Sequence, residues 1–123
     1  MGKVMVIDDD ATYCKLVSVH LARAGHEVTS VDDGATATRL VARGMVDLIL
    51  LDLNMPKMNG EVFLEVLRTD AQRRATPVII VSAAIGSEQF KRAEALGIQG
   101  AVDKKTLKYP ELTRLVDSFL NGK

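Results

Sequence analysis

Four short apolar runs in this chain each give way to polar residues capable of chemistry. Asp8, Asp9 and Asp10 follow Val4-Met5-Val6-Ile7, and Asp52 follows Leu48-Ile49-Leu50-Leu51. Ser82 follows Val78-Ile79-Ile80-Val81, and Asp103, Lys104 and Lys105 follow a weaker run at residues 98–102. One Asp at the head of a helix is an ordinary N-cap, and Asp10 reads that way. Three adjacent acids joined by a fourth need more explanation. Carboxylates about 4 Å apart repel by roughly 4 kcal/mol per pair at an effective dielectric of 20, so such crowding persists where a cation offsets it. A hard divalent ion held by carboxylates, a backbone carbonyl and waters meets that need, and Mg²⁺ commonly binds this way. The Ser82 hydroxyl and the Lys104 ammonium would complete a cradle for a tetrahedral anion. Phosphoryl transfer depends on in-line geometry and charge neutralisation. A carboxylate can serve as the nucleophile and become an acyl phosphate, and Asp52 suits that role.

The elements that must bring these residues together can be read from periodicity. The three strong apolar runs are continuous rather than alternating, as in strands covered on both faces of a parallel sheet. Glu27–Val31 and residues 98–102 are weaker strand candidates. Between them lie amphipathic stretches. Cys14, Val17, Leu21 and Ala24 mark one helix that ends before Gly25, and Ala37, Leu40 and Val41 mark a second. Val62, Phe63, Val66 and Leu67 mark a third. Ser87 caps a fourth that carries Phe90, Ala93 and Leu96. Pro110 opens a fifth, with Leu112, Leu115, Val116 and Phe119 on its apolar side. The order βαβαβαβαβα predicts an α/β fold, a parallel five-stranded sheet with right-handed crossovers and helices on both faces. Ligands of such sheets bind beyond the carboxyl ends of the strands, where the polar residues fall.

Composition narrows the field further. The chain has 123 residues, enough for one domain, and no linker or repeat divides residues 1–123. Sixteen basic side chains balance sixteen acidic ones, and there are five aromatics with no Trp, so no basic surplus marks a direct nucleic-acid partner. Cys14 is the only cysteine, which excludes an internal disulfide and a multi-cysteine zinc site. Apolar runs of at most four residues predict no membrane span, and the N-terminus turns acidic by Asp8, unlike a signal peptide. The default expectation is a cytoplasmic domain.

These residues resemble those of the receiver domains of two-component response regulators. The likeness is carried by Val6-Ile7-Asp8-Asp9, by Leu51-Asp52-Leu53-Asn54-Met55-Pro56 with Asn59-Gly60, by Val81-Ser82-Ala83 and by Lys104, in order along the whole chain. It implies a flavodoxin-like (βα)5 doubly wound fold with strand order 2-1-3-4-5. It also implies that Asp52 accepts a phosphoryl group from a histidine kinase or a His-containing phosphotransfer protein. Asp8 and Asp9, with Asp52 and the main-chain carbonyl of Asn54, would hold Mg²⁺. Ser82 would hydrogen-bond a phosphoryl oxygen and draw its loop inward, and Lys104 would pair with Asp52 or its phosphate. Ala83 would leave room for the group. Output would pass through the face of helix four, strand five and helix five, residues 87–120, to a downstream effector or output domain. A homodimer is left open. Apart from its own phosphorylation and dephosphorylation, such a domain is a switch rather than an enzyme.

Three positions depart from the family pattern. Ala101 stands where many receivers carry an aromatic that swings inward, Lys105 stands where Pro often follows the Lys, and Asp103 precedes Lys104 where small or apolar residues are usual. A cis bond before residue 105 is not expected, since a non-proline cis bond costs about 3 kcal/mol. Other classes fit less well. A phosphorylation-independent binding module would lack Asp52, Lys104 or one acid, and none is missing. A flavodoxin-type electron carrier needs a phosphate-cradling loop after strand one, where Asp8–Asp10 would repel a phosphate. A Mg²⁺-dependent phosphatase with an Asp nucleophile places a second acid two residues on, where this chain has Asn54. His20 and His26 read as non-catalytic, Arg68, Arg73 and Arg74 as a solvated helix end, and Met55 and Met58 as packing in the loop after strand three.

Overall fold

The computed structural model describes residues 2–56 and 58–120. Five strands form one parallel sheet: β1 (Lys3–Ile7), β2 (Glu27–Val31), β3 (Leu48–Leu51), β4 (Val78–Ser82) and β5 (Gly100–Asp103). Their order is β2-β1-β3-β4-β5, as the resemblance implied. The crossovers carry α1 (Ala11–Arg23), α2 (Gly34–Ala42), α3 (Gly60–Thr69) and α4 (Glu88–Leu96), and α5 (Tyr109–Leu120) follows β5. The continuous apolar runs have a simple cause. Alternate residues of a strand point to opposite faces, and both faces are covered. Met5, Ile7, Ile49, Leu51, Val78 and Ile80 join the core under α2, α3 and α4. Val4, Val6, Leu48, Leu50, Ile79 and Val81 join the core under α1 and α5.

Helix ends follow local chemistry. Asp10, Asp33, Asn59 and Ser87 each cap a helix by accepting a first-turn backbone N–H. At the other end of α4, Gly97 takes φ +101°, a conformation that disfavours side chains.

The structure corrects the sequence reading in four places. The buried face of α3 is Gly60, Phe63, Leu64 and Leu67, while Val62 and Val66 are each 52% exposed. Gly60 packs against backbone, and that contact fixes the rotation of the helix. Phe119 likewise points outward. Strand β5 starts at Gly100, because the Gln99 side chain accepts the Val78 N–H at 2.7 Å. The arginines in the last turn of α3 and just beyond it are not merely solvated. Arg68 donates to the carbonyls of Gly97, Arg74 and Thr76, and Arg73 donates to those of Val41 and Ala42. Both satisfy orphan carbonyls at the ends of helices and turns.

Met55 is buried, and the side chain of Met58 lies outside the described residues. His26 is buried too. Its Nδ1 accepts the Gly2 N–H at 3.0 Å and its Nε2 meets Asp117 at 2.6 Å, which ties the start of β1 to α5. Every described peptide bond is trans.

Candidate functional site

Parallel register brings the acids together. Ile7 of β1 lies opposite Leu51 of β3, so the next residues, Asp8 and Asp52, emerge side by side. Each is held by a ladder bond, Asp8 N–H to Val31 O and Asp52 N–H to Ile7 O. Ser82 closes β4 beside Asp103 of β5, and Lys104 comes next. The loop after Asp52 turns through a small antiparallel pairing of Asn54–Met55 with Met58–Asn59, which periodicity did not predict. Asn59 then caps α3. A Cβ on Gly60 would lie 2.7 Å from the Asp52 carbonyl oxygen, so only glycine lets the helix start this close to the loop.

One carboxylate oxygen from each of Asp8, Asp9 and Asp52 lies within 4.8 Å of the others. An all-oxygen set at this spacing fits a hard divalent cation. Asp8 and Asp52 are buried and Asp9 is exposed, so the cluster opens to solvent on one side. A cavity of about 450 Å³ lies against Asp8 and Asp9 and reaches Ser30 and Thr36.

Lys104 Nζ donates to Asp8 Oδ2 at 2.8 Å and lies 3.8 Å from Asp10 Oδ2. The resemblance implies pairing with Asp52 or its phosphate, whereas in this unphosphorylated structure the ammonium rests on Asp8. Asp8 takes the ammonium because its side chain, 1% exposed, carries a charge that would otherwise be buried without compensation. Asp10 therefore does more than cap α1, although its Oδ1 does accept the Tyr13 N–H at 3.0 Å. The Asp10 N–H in turn donates to Asp8 Oδ1 at 2.9 Å. Ser82 is fully buried, and its Oγ accepts the Ala84 N–H at 3.1 Å. Ala83, the next residue along the chain, is exposed. Asp103 accepts the Lys105 N–H and caps the short 3₁₀ turn that carries Lys104.

The charges are poised accordingly. Burial, then the charge of Asp8, push the Asp52 carboxyl above its ordinary value of 3.8, against opposing pulls from the Asn54 N–H, Lys104 and Ser82. Burial alone would lower the Lys104 ammonium. The hydrogen bond to Asp8 and the charges of Asp8, Asp52 and Asp10 outweigh it and hold Lys104 above 10.5.

The Asp52 shift has a consequence for stability. Above pH 3.8 the folded state holds more of the Asp52 proton than the unfolded state, so stability falls as pH rises through the raised pKa. At neutral pH the ionised Asp52 therefore weakens the metal-free fold. Asp52→Asn should raise the metal-free melting temperature at pH 7 by roughly 3–5 °C, on the order of 1 kcal/mol. The gain should fade as pH falls through the raised pKa and be gone below 3.8, which thermal melts across that range would reveal.

Sequence reading missed two residues at the site. Gln89 of α4 donates its amide to the carbonyl of Leu53 at 3.0 Å and so holds the loop after Asp52. No local pattern marks it, because its partner lies 36 residues away. Tyr13 places its ring under Lys104, 4.6 Å from Nζ to the centroid. Its helical spacing with Val17 and Leu21 marks it as core and gives no hint of the cation.

A doubly wound sheet with buried acids, a hydroxyl and a lysine at its carboxyl edge defines a receiver-type phosphoacceptor domain. Residues 4–117 match the family model described as the response regulator receiver domain, and the chain belongs to that family. It is 32% identical over 103 residues to the chemotaxis protein CheY-3 of Vibrio cholerae, covering 83% of this chain and 79% of that protein. It is 36% identical over 91 residues to the DNA-binding dual master transcriptional regulator RpaA of Synechocystis, covering 74% of this chain but only 37% of that one. Among solved structures, the chemotaxis response regulator CheY4 of Vibrio cholerae superimposes with a TM-score of 0.84 at 29% identity, covering 97% of this chain and 98% of that one. Receiver domains of this family are switches that work with histidine kinases and with output or effector partners. Among the described residues no helix is long and apolar enough to cross a membrane.

Proposed function

We propose that residues 1–123 act as one receiver unit in which Asp52 accepts a phosphoryl group from a phosphohistidine of a kinase or phosphotransfer protein. The observation that carries this reading is the convergence of the Asp8, Asp9 and Asp52 oxygens within 4.8 Å beside the Lys104 ammonium. Asp8, Asp9, Asp52 and the carbonyl of Asn54 are the groups that would hold Mg²⁺. When bound, the ion supplies charge neutralisation for the transferred phosphoryl oxygens.

The chain's own residues do the rest. An Asp52 oxygen attacks phosphorus in line, the P–N bond breaks, and its electron pair returns to the donor imidazole, which then takes a proton. Lys104, already between Asp8 and Asp10, shares its ammonium with the new phosphoryl oxygens. Ser82 gives up its local bond with the Ala84 N–H and donates its hydroxyl proton to a phosphoryl oxygen. Only the phosphorylated state offers that contact, so it shifts the balance between conformations. Residues 87–120, from α4 through β5 to α5, carry the change to a partner or output domain. The same pocket, once opened to water, would hydrolyse its own acyl phosphate. A cytoplasmic location follows from the need for a kinase donor.

The test is direct. With Mg²⁺ and a small-molecule phosphodonor, intact mass should rise by one phosphoryl group, and Asp52→Asn should gain none. Equal labelling of the asparagine variant would assign the acceptor elsewhere.

A further inference from the structure

Tyr13 is an expensive residue for the place it occupies. It is 4% exposed, within the core under α1 and α5. Its hydroxyl is the one buried side-chain polar atom without a hydrogen-bond partner among the described residues. An unpartnered buried hydroxyl costs about 1–3 kcal/mol. Leucine or methionine could fill apolar volume there without that penalty. Burial and the nearby charge of Asp8 push the phenol's pKa well upward, so it stays neutral and cannot serve as an anionic partner. What tyrosine offers and an aliphatic side chain does not is the negative face of a ring. That face lies 4.6 Å from the Lys104 ammonium, on a side chain only 19% exposed. A cation over an aromatic ring gains about 0.5–1 kcal/mol at exposed sites and about 2 when desolvated.

We infer that Tyr13 is a positioning residue for Lys104, holding its ammonium at the mouth of the acidic pocket so that it can pass from Asp8 to a phosphoryl group on Asp52. The inference rests on the proposed role of Asp52. Its physical basis is the difference between the contacts of the ammonium. The bond to Asp8 is short and directional, and Asp10, 47% exposed, draws the charge toward solvent. The attraction to the ring face acts along the ring normal and varies only gently as the ammonium moves sideways over it. It lets the ammonium pivot toward Asp52 without losing hold, and it opposes drift toward Asp10.

Phosphorylation by a small phosphodonor at saturating Mg²⁺ provides the test. Tyr13→Leu should slow labelling about tenfold, the equivalent of the contact's energy. Tyr13→Phe, which keeps the ring, should restore the rate and melt higher than the parent, because the orphan hydroxyl is gone. In a Lys104→Met background, Tyr13→Leu should cause no further slowing. A merely structural role would slow labelling in both backgrounds, and that result would overturn the inference. So would a parent-like rate for Tyr13→Leu while Lys104→Met is slow. If Tyr13→Leu fails to fold, the parent's NMR spectrum decides: ring-current shifts at the Lys104 ε-methylene support the contact, and random-coil shifts there refute it. Failure of the parent protein to label at all would instead overturn the role of Asp52.

Discussion

Gly60→Ala should cost about 3 kcal/mol and lower the melting temperature by roughly 10 °C. The added Cβ would lie 2.7 Å from the Asp52 carbonyl oxygen and 3.0 Å from the Leu53 Cα, and neither backbone atom can move aside without moving the loop. The damage should reach chemistry as well as stability. The loop carries Asp52 on one side and the Asn54 carbonyl on the other, so displacement by a few tenths of an ångström spoils both. Labelling by a small phosphodonor should fall at least tenfold at a temperature where the variant is still folded, since small misplacements weigh heavily on positioned reactions. Gly100→Ala is the control. Its Cβ would meet side chains at 3.6 Å or more, so calorimetry should find a change within about 1 kcal/mol. Equal losses for the two variants would show that the approach of α3 to the loop does not set the site.

Lys104→Met should destabilise the metal-free protein by about 2–3 kcal/mol, although methionine packs well. Removing one partner of a fully buried ion pair costs about 3–5 kcal/mol, because the other charge is stranded. The smaller figure allows for the partial exposure of Lys104. The stranded group is Asp8, with its side chain 1% exposed and the Asp9 and Asp52 carboxylates close by. The folded pKa of Lys104 is raised, so its contribution is full below pH 10.5 and is lost as pH rises through the folded value. The variant's deficit should therefore shrink in alkali. Mg²⁺ should restore part of the lost stability by supplying positive charge to the same carboxylates. Denaturant melts with and without Mg²⁺ measure both effects. This variant and Asp52→Asn move the melting temperature in opposite directions, as a crowded anionic pocket requires.

Much of this was legible in the sequence, and the reason is geometric. In a parallel sheet with both faces covered, continuous apolar runs mark the strands, and register sets the residue after each run at one edge. Asp8, Asp52, Ser82 and Lys104 are therefore placed together by the sequence alone. What stayed hidden depends on contacts between distant segments. The rotation of α3 is fixed by Gly60 against the Asp52 carbonyl, so Val62 and Val66 look like core by periodicity and are not. Arg68 reaches the carbonyl of Gly97 at the C-terminal end of α4, 29 residues on, and nothing local separates it from a solvated charge. Lys104 resting on Asp8 reflects the balance of burial and charge among four acids, which spacing alone does not decide.

The departures at positions 101 and 105 gain meaning from the fold. Ala101 is exposed on β5, beside Ile80 of β4, and brings no aromatic to this edge. The aromatic groups near Lys104 lie on the other side, where Tyr13 underlies the ammonium and Tyr109 stacks on His20 with centroids 5.1 Å apart.

The most direct measurement is a crystal structure of the protein with Mg²⁺ and beryllofluoride, a mimic of the aspartyl phosphate. The account predicts beryllium bonded to an Asp52 oxygen, the ion among Asp8, Asp9 and Asp52, and Lys104 and Ser82 turned onto the fluorines. A pocket left empty, or the adduct on another carboxylate, would contradict it.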